Sequence, residues 1–271
     1  MTERAKFRRI VLGLPYYKPR QGMRLGADLA RLLDLDLLGL FVKEESLLGL
    51  ASLPFIREFK LLGGGWRQLD FNQLSLDFEV AAKDAERAFT EAVKTLPTTC
   101  RFEVVEGSMV DTIASISRKG DIVLLFREPE SSAQGESPAL LAALNAAFQC
   151  SAAVLLVPPQ IARQSGAIVA IATHAQDPSI EAASAVAAAA KEDLIIVDTF
   201  ASDGEKRPSE IRMPTGVRLR RISANPHRPI NASGISFALR QISERLVVMT
   251  RGDDAVPSMI ASMRYVPVLV V

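Results

Sequence analysis

The sequence predicts an α/β fold of two tandem Rossmann-like units with open five-stranded parallel sheets, forming an intramolecular pseudo-dimer. Three observations predict it. Short continuous apolar runs, of the kind found in parallel strands buried on both faces, alternate with helix-period segments. The series begins again partway along the 271 residues. Both series also close on similar apolar strands, Ala152-Ala153-Val154-Leu155-Leu156-Val157 and Val266-Pro267-Val268-Leu269-Val270-Val271.

The opening run Arg9-Ile10-Val11-Leu12-Gly13-Leu14 reads as a strand, 22–33 as a helix dense in Met, Leu and Ala, and 37–42 as a second strand, completing a βαβ unit. Apolar positions Val80, Ala81, Ala85, Ala88, Phe89, Ala92 and Val93 give 76–96 the period of a helix covering a sheet. Then 101–105 is a strand, 110–117 a short helix, 121–126 a strand, 138–148 a helix and 152–157 a strand. Right-handed crossovers join the parallel strands.

The second series answers the first. Ile168-Val169-Ala170-Ile171 corresponds to Ile10-Val11-Leu12-Gly13, the alanine-rich 180–190 to the first helix, 194–197 to the second strand and 245–249 to the strand at 121–126. Two domains are expected, 1–159 with an inserted apolar lid near 44–75, and a shortened 165–271. The polar stretch 201–215 is too short for a counterpart of the long helix, which the second unit is expected to lack.

Lys plus Arg (32) balances Asp plus Glu (31), so no field draws in nucleic acid or an anionic membrane. The apolar run behind the charged N-terminus is too short for a signal peptide, and no stretch approaches the roughly 20 apolar residues of a membrane helix. A soluble, cytoplasmic chain without membrane insertion is expected. Cys100 and Cys150 read as small buried apolar residues, and two histidines without a cysteine pair argue against a metal site.

Two features resemble the universal stress protein family. One is a strand, a glycine, a short helix and an Asp-led apolar strand, here Val104-Val105-Glu106-Gly107 through Asp121-Ile122-Val123-Leu124-Leu125. The other is the terminal Pro267-Val268-Leu269-Val270-Val271. The resemblance implies that the final strands of the two units run side by side within the chain. It also implies a test for ATP, because members that bind it carry an Asp ending the first strand and a G-x-x-G motif with a later Gly-Ser/Thr beyond the fourth. Here Leu14 and Ala172 or Thr173 hold the first position, and Arg127-Glu128-Pro129-Glu130 and Thr250-Arg251-Gly252-Asp253-Asp254 the second. Pro129 has no N–H to offer a phosphate, and the neighbouring carboxylates carry its charge sign. No cofactor is therefore expected; ATP or AMP in the second unit is the alternative.

Ligands of open α/β sheets bind at the carboxyl ends of strands where strand order reverses. That rule selects Gly107 and Arg127, with Tyr16, Tyr17 and Lys18, in the first unit. In the second it selects Thr173, His174, Asp177, Thr250, Arg251 and Gly252, a set suited to a small anionic ligand. The plainer reading is that His174 fills a loop and Arg251 pairs with Asp253 or Asp254; His227, in a proline-marked turn, reads as a surface residue. No catalytic constellation stands out, so a regulatory binding protein of the stress response is expected rather than an enzyme, the alternative being a nucleotide binder or weak hydrolase using the second unit.

The segment 44–75 carries Leu47, Leu50, Leu53, Phe55, Phe59, Trp66 and Phe71 among other apolar residues, too many for a solvated loop. It reads either as a lid of short helices on the chain's own sheet or as a surface for a partner protein or self-association.

Overall fold

The computed structural model describes residues 7–14, 20–60, 65–127, 138–199, 216–223, 231–252 and 255–271. The first half runs β1 (Arg9–Leu14), α1 (Arg20–Leu33), β2 (Asp36–Glu44), α2 (Glu45–Ala51), β3 (Arg57–Lys60), β4 (Gly65–Gln68), α3 (Phe71–Val93), β5 (Cys100–Gly107), α4 (Met109–Ile116), β6 (Asp121–Phe126), α5 (Pro138–Gln149) and β7 (Ala153–Val157). The second runs β8 (Ala167–Ala172), α6 (Pro178–Ala190), β9 (Leu194–Asp198), β10 (Leu219–Ser223), α7 (Ala232–Ala238), β11 (Glu244–Met249), α8 (Ala255–Arg264) and β12 (Val268–Val270).

Among the described residues, ten strands form one sheet in the order β10-β9-β8-β11-β12-β7-β6-β1-β2-β5. Each half is parallel and five-stranded, and the order reads alike from either edge. At the centre β12 pairs antiparallel with β7, Val268 opposite Leu156 and Val270 opposite Val154. This is the pseudo-dimer with its final strands side by side. Alanine, valine, isoleucine and leucine fill the central strands because both faces are covered: β7 is buried throughout and β8 from Ile168 onward.

Helices α1, α3 and α6 lie over one face, where Met23, Ala27, Phe78, Phe89 and Ala183 join Leu12, Leu124, Leu155 and Val248 in one apolar cluster. On the other face Ile113, Leu144, Ile235 and Ile260 meet Val123, Val154 and Val247. Each cluster runs through both halves, so the layers on either side of the sheet are continuous across its centre.

Local signals set the helix starts. Asp70 accepts from Gln73 N at 3.1 Å to open α3, Ser108 from Asp111 N at 3.0 Å to open α4, and Asn231 from Gly234 N at 2.8 Å to open α7. At the opposite ends of the strands, buried acids lead β6 and β11. Arg9 donates to both Asp121 oxygens, and Arg264 holds the fully buried Glu244 through Nε at 2.7 Å and Nη2 at 2.9 Å.

Several details depart from the sequence reading. Segment 44–75 is not a set of short helices: it holds helix α2 and the antiparallel hairpin β3–β4. Trp66 (68%), Phe55 (72%) and Phe59 (48%) are exposed there. Cys100 and Cys150 are free but only half-buried, since β5 is an edge strand and Cys150 lies just beyond the end of α5. The strand β10 and helices α7 and α8, not singled out from sequence, complete the second half. The expected loss of a long second-unit helix falls on 200–215, outside the described residues. Among the described residues, no helix is long and apolar enough to cross a membrane.

Candidate functional site

In the second half, strand order reverses between β8 and β11, and their carboxyl ends open the crevice where a ligand of such a sheet would sit. The residue at its centre is Asp177. Its side chain caps α6, with Pro178 at the first helical position, a combination that needs no N–H from the proline. Thr173 donates to Oδ2 from both its backbone N and its hydroxyl, each at 2.8 Å. Ser179 N donates to Oδ1 at 2.9 Å, and the Thr250 hydroxyl also donates to Oδ1. The carboxylate is 2% exposed and accepts from both strand ends and the helix at once.

Burial pushes the Asp177 carboxyl up, but the hydrogen bonds from Thr250, Thr173 and Ser179 together outweigh it and hold the group below its ordinary value. A helix N-terminus is a ready anion site, and here a carboxylate of the chain itself fills it. Ser179 adds a bond from its hydroxyl to Ile171 O at 3.1 Å, and Thr199 closes on Ala172 O through both N and Oγ1 at 2.9 Å. Thr173 and Thr250 thus both bond Asp177 at the strand ends, Thr173 from an exposed position and Thr250 from a half-buried one.

The other residues selected from sequence take different positions. His174 is exposed on the loop after β8. Arg251 donates its backbone N–H to Val271 O at 3.1 Å and lays its guanidinium over the Phe148 ring of α5, 4.1 Å from the centroid. Gly252 is exposed, and a Cβ there would meet nothing within 4 Å.

Arg127 takes the matching place in the first half: its N–H bonds Val157 O at 2.9 Å, as Arg251 bonds Val271. Its side chain, 6% exposed, donates to the Ser262 hydroxyl on α8. Both arginines therefore reach across the central strands into the opposite half. Gly107 ends β5 with φ +147°, a conformation that suits glycine, and hands the chain to the Ser108 cap. The strands β2 and β1 separate it from β6 and Arg127. At the start of α4, Glu44 Oε1 accepts from Met109 N at 3.1 Å, a second helix N-terminus occupied by the chain's own carboxylate. Tyr16, Tyr17, Lys18, Pro129 and its neighbouring glutamates, Asp253, Asp254 and His227 lie outside the described residues.

Sequence reasoning did not anticipate the roles of Glu44, Ser179, Phe148 and Ser262. A signal existed for only one part of this, the Asp177-Pro178 pair that marks a helix start. A separate open groove of about 680 Å³ lies between α3 and the edge strand β5, lined by Lys43, Glu79, Lys83, Glu86 and Glu106. Hydrogen bonding to Glu79 raises the Lys43 pKa and lowers that of Glu79, which marks a structural ion pair.

No protein-family profile matches the chain, and no curated protein matches it. Solved structures do. A universal stress protein from Archaeoglobus fulgidus DSM 4304 superposes with a TM-score of 0.63 at 12% identity, over 97% of this chain and 95% of that one. A putative universal stress protein from Pseudomonas aeruginosa UCBPP-PA14 gives 0.53 at 11% identity, over 98% and 93%. The cytoplasmic domain of a prokaryotic cation chloride cotransporter gives 0.50 at 10% identity, over 97% and 95%. At such identities the likeness concerns architecture, and the architecture of this chain is a universal-stress-protein-like α/β fold.

Proposed function

We propose that this chain is a universal-stress-protein-like regulatory protein of the cytoplasmic stress response, built of units 1–159 and 165–271, that acts by binding and not by turnover. In this reading it does not take ATP in the family's usual way. One observation carries the proposal: Asp177, bonded to Thr173, Ser179 and Thr250, sets a buried carboxylate between the ends of β8 and β11 in the second crevice and fills the N-terminus of α6. A triphosphate arriving there would meet a buried like charge and would have to displace charge-assisted hydrogen bonds, each contributing about 1.5–3 kcal/mol.

Arg127 and Arg251, the cations that follow β6 and β11, are engaged with Ser262 and Phe148. Micromolar affinity needs about 8 kcal/mol, which one redirected arginine cannot supply. The test is isothermal titration of the intact chain with magnesium ATP, ADP, AMP and cyclic nucleotides, followed by a turnover assay. The expected result is no saturable heat below the millimolar range and no hydrolysis. Stoichiometric tight binding of two nucleotides per chain would overturn the proposal.

A further inference from the structure

Strand β5 ends one side of the ten-stranded sheet, and among the described residues it pairs with β2 alone. Leu37 N donates to Thr99 O at 2.9 Å, and Thr99 N donates to the Asp36 carboxylate at 3.1 Å, so Thr99 turns its peptide groups toward β2. By strand alternation Arg101, Glu103 and Val105 do the same, while Cys100, Phe102, Val104 and Glu106 present their N–H and C=O groups at the open edge. The side chains of Arg101 and Glu103 are exposed on one face of the sheet. Those of Phe102 and Val104, the latter 44% exposed, lie on the other, on the side of the groove between α3 and β5. An open edge of eight residues is a template for another strand, and proteins blunt such edges with proline, bulges or charge. Here there is no proline, the register with β2 is unbroken, and the charges alternate in sign.

We infer that two copies of the chain associate through β5, strand against strand, antiparallel about a two-fold axis at Phe102. In such a pair, residues equally far on either side of the central one lie opposite each other. Centred on Phe102, Arg101 of each copy faces Glu103 of the other, and Cys100 faces Val104. Shifting the centre by one residue sets Arg101 against Arg101 or Glu103 against Glu103, and shifting it to Val104 leaves Arg101 opposite Gly107 and Glu103 opposite Val105. One register alone therefore matches both charges, and it does so twice, so the strand is complementary to itself. That selects a second copy over an unrelated extended segment. In this register Cys100, Phe102 and Val104 exchange about six main-chain hydrogen bonds across the axis, and the Arg101–Glu103 pairs take the positions where opposed side chains come closest. The other outer edge behaves differently. Centred on Leu219, Arg220 or Arg221, a self-pairing of β10 sets arginine against arginine, which is unfavourable. The same charge pattern that blunts β10 is absent from β5.

The experiment is sedimentation velocity of the intact chain across a concentration series, on wild type, Arg101→Glu, Glu103→Arg and the double variant Arg101→Glu/Glu103→Arg, with far-UV circular dichroism to check that each is folded. The expected result is a wild-type dimer. Its dissociation constant should rise about tenfold or more in either single variant, where two attractive pairs become two repulsive ones, and return close to the wild-type value in the double variant. The register is read independently in Val104→Cys, whose new thiol faces Cys100 of the other copy. Mild oxidation should give a covalent dimer in which peptide mapping finds the new thiol joined to Cys100. Within one chain the two positions lie about 13 Å apart along the strand, beyond the reach of a disulfide, so that link can form only between copies. The proposal is overturned by a wild-type chain that stays monomeric, by assembly that continues past the dimer, as β5 against β10 would give, or by a dimer indifferent to the single reversals. A double variant that fails to restore the dimer, or a cross-link that joins other positions, would overturn it equally.

Discussion

Asp177 shows how a residue chosen as a ligand contact becomes part of the scaffold. Replacing it with alanine removes the α6 cap and leaves the Thr173 and Thr250 donors without their acceptor. The expected loss is about 2–4 kcal/mol at neutral pH, from the cap and the charge-assisted bonds together. Because the folded carboxyl is held below its ordinary value, its contribution is complete above about pH 4 and fades as pH falls through the folded pKa. Denaturant titrations of wild type and Asp177→Ala should therefore differ most near neutrality and converge in acid; a pH-independent gap would contradict the assignment. The cap was legible from the Asp177-Pro178 pair alone. The partners of Arg127 and Arg251 were not, since Ser262 lies 135 residues from Arg127 along the chain and only the fold brings them together.

Among the elements, strands with unbroken apolar runs were placed within a residue or two by composition, because burial on both faces leaves them no polar positions. The helices beside them were legible from their period. The hairpin β3–β4 was not, for its four-residue strands mix Arg57, Glu58 and Phe59 without a long alternation. The strand β10, Leu219-Arg220-Arg221-Ile222-Ser223, was missed because an edge strand can be mostly polar. Where α3 packs on β2, the register depends on Gly39: a Cβ there would lie 2.7 Å from the Phe89 ring, which itself stacks against Phe102 at 5.6 Å. Gly39→Ala should cost about 1–3 kcal/mol by overpacking. Adding Phe89→Leu should return part of that loss, so a double-mutant cycle by urea denaturation should show coupling; strict additivity would mean the clash is relieved elsewhere.

For the whole molecule, the central β7–β12 pair and the two continuous apolar layers make the halves one cooperative body. Deleting 268–271 removes the strand that both halves share, with the Arg251–Val271 and Val271–Met249 bonds. Scanning calorimetry of wild type should show one transition, and the truncated chain should lose it for both halves together. An undisturbed transition of the size expected for 1–159 would show instead that the first unit stands alone.

The antiparallel seam at β7–β12 also has a genetic meaning. In a dimer of identical subunits every substitution appears twice, once on each side of the axis, and must suit both places. Inside one polypeptide it appears once. The two halves already show the result: the acid leading β6 is an aspartate met by Arg9 on the adjacent strand, whereas the acid leading β11 is a glutamate met by Arg264 from a helix. The same buried charge is neutralised by different means, and the two crevices, like the two outer edges of the sheet, are free to acquire separate tasks.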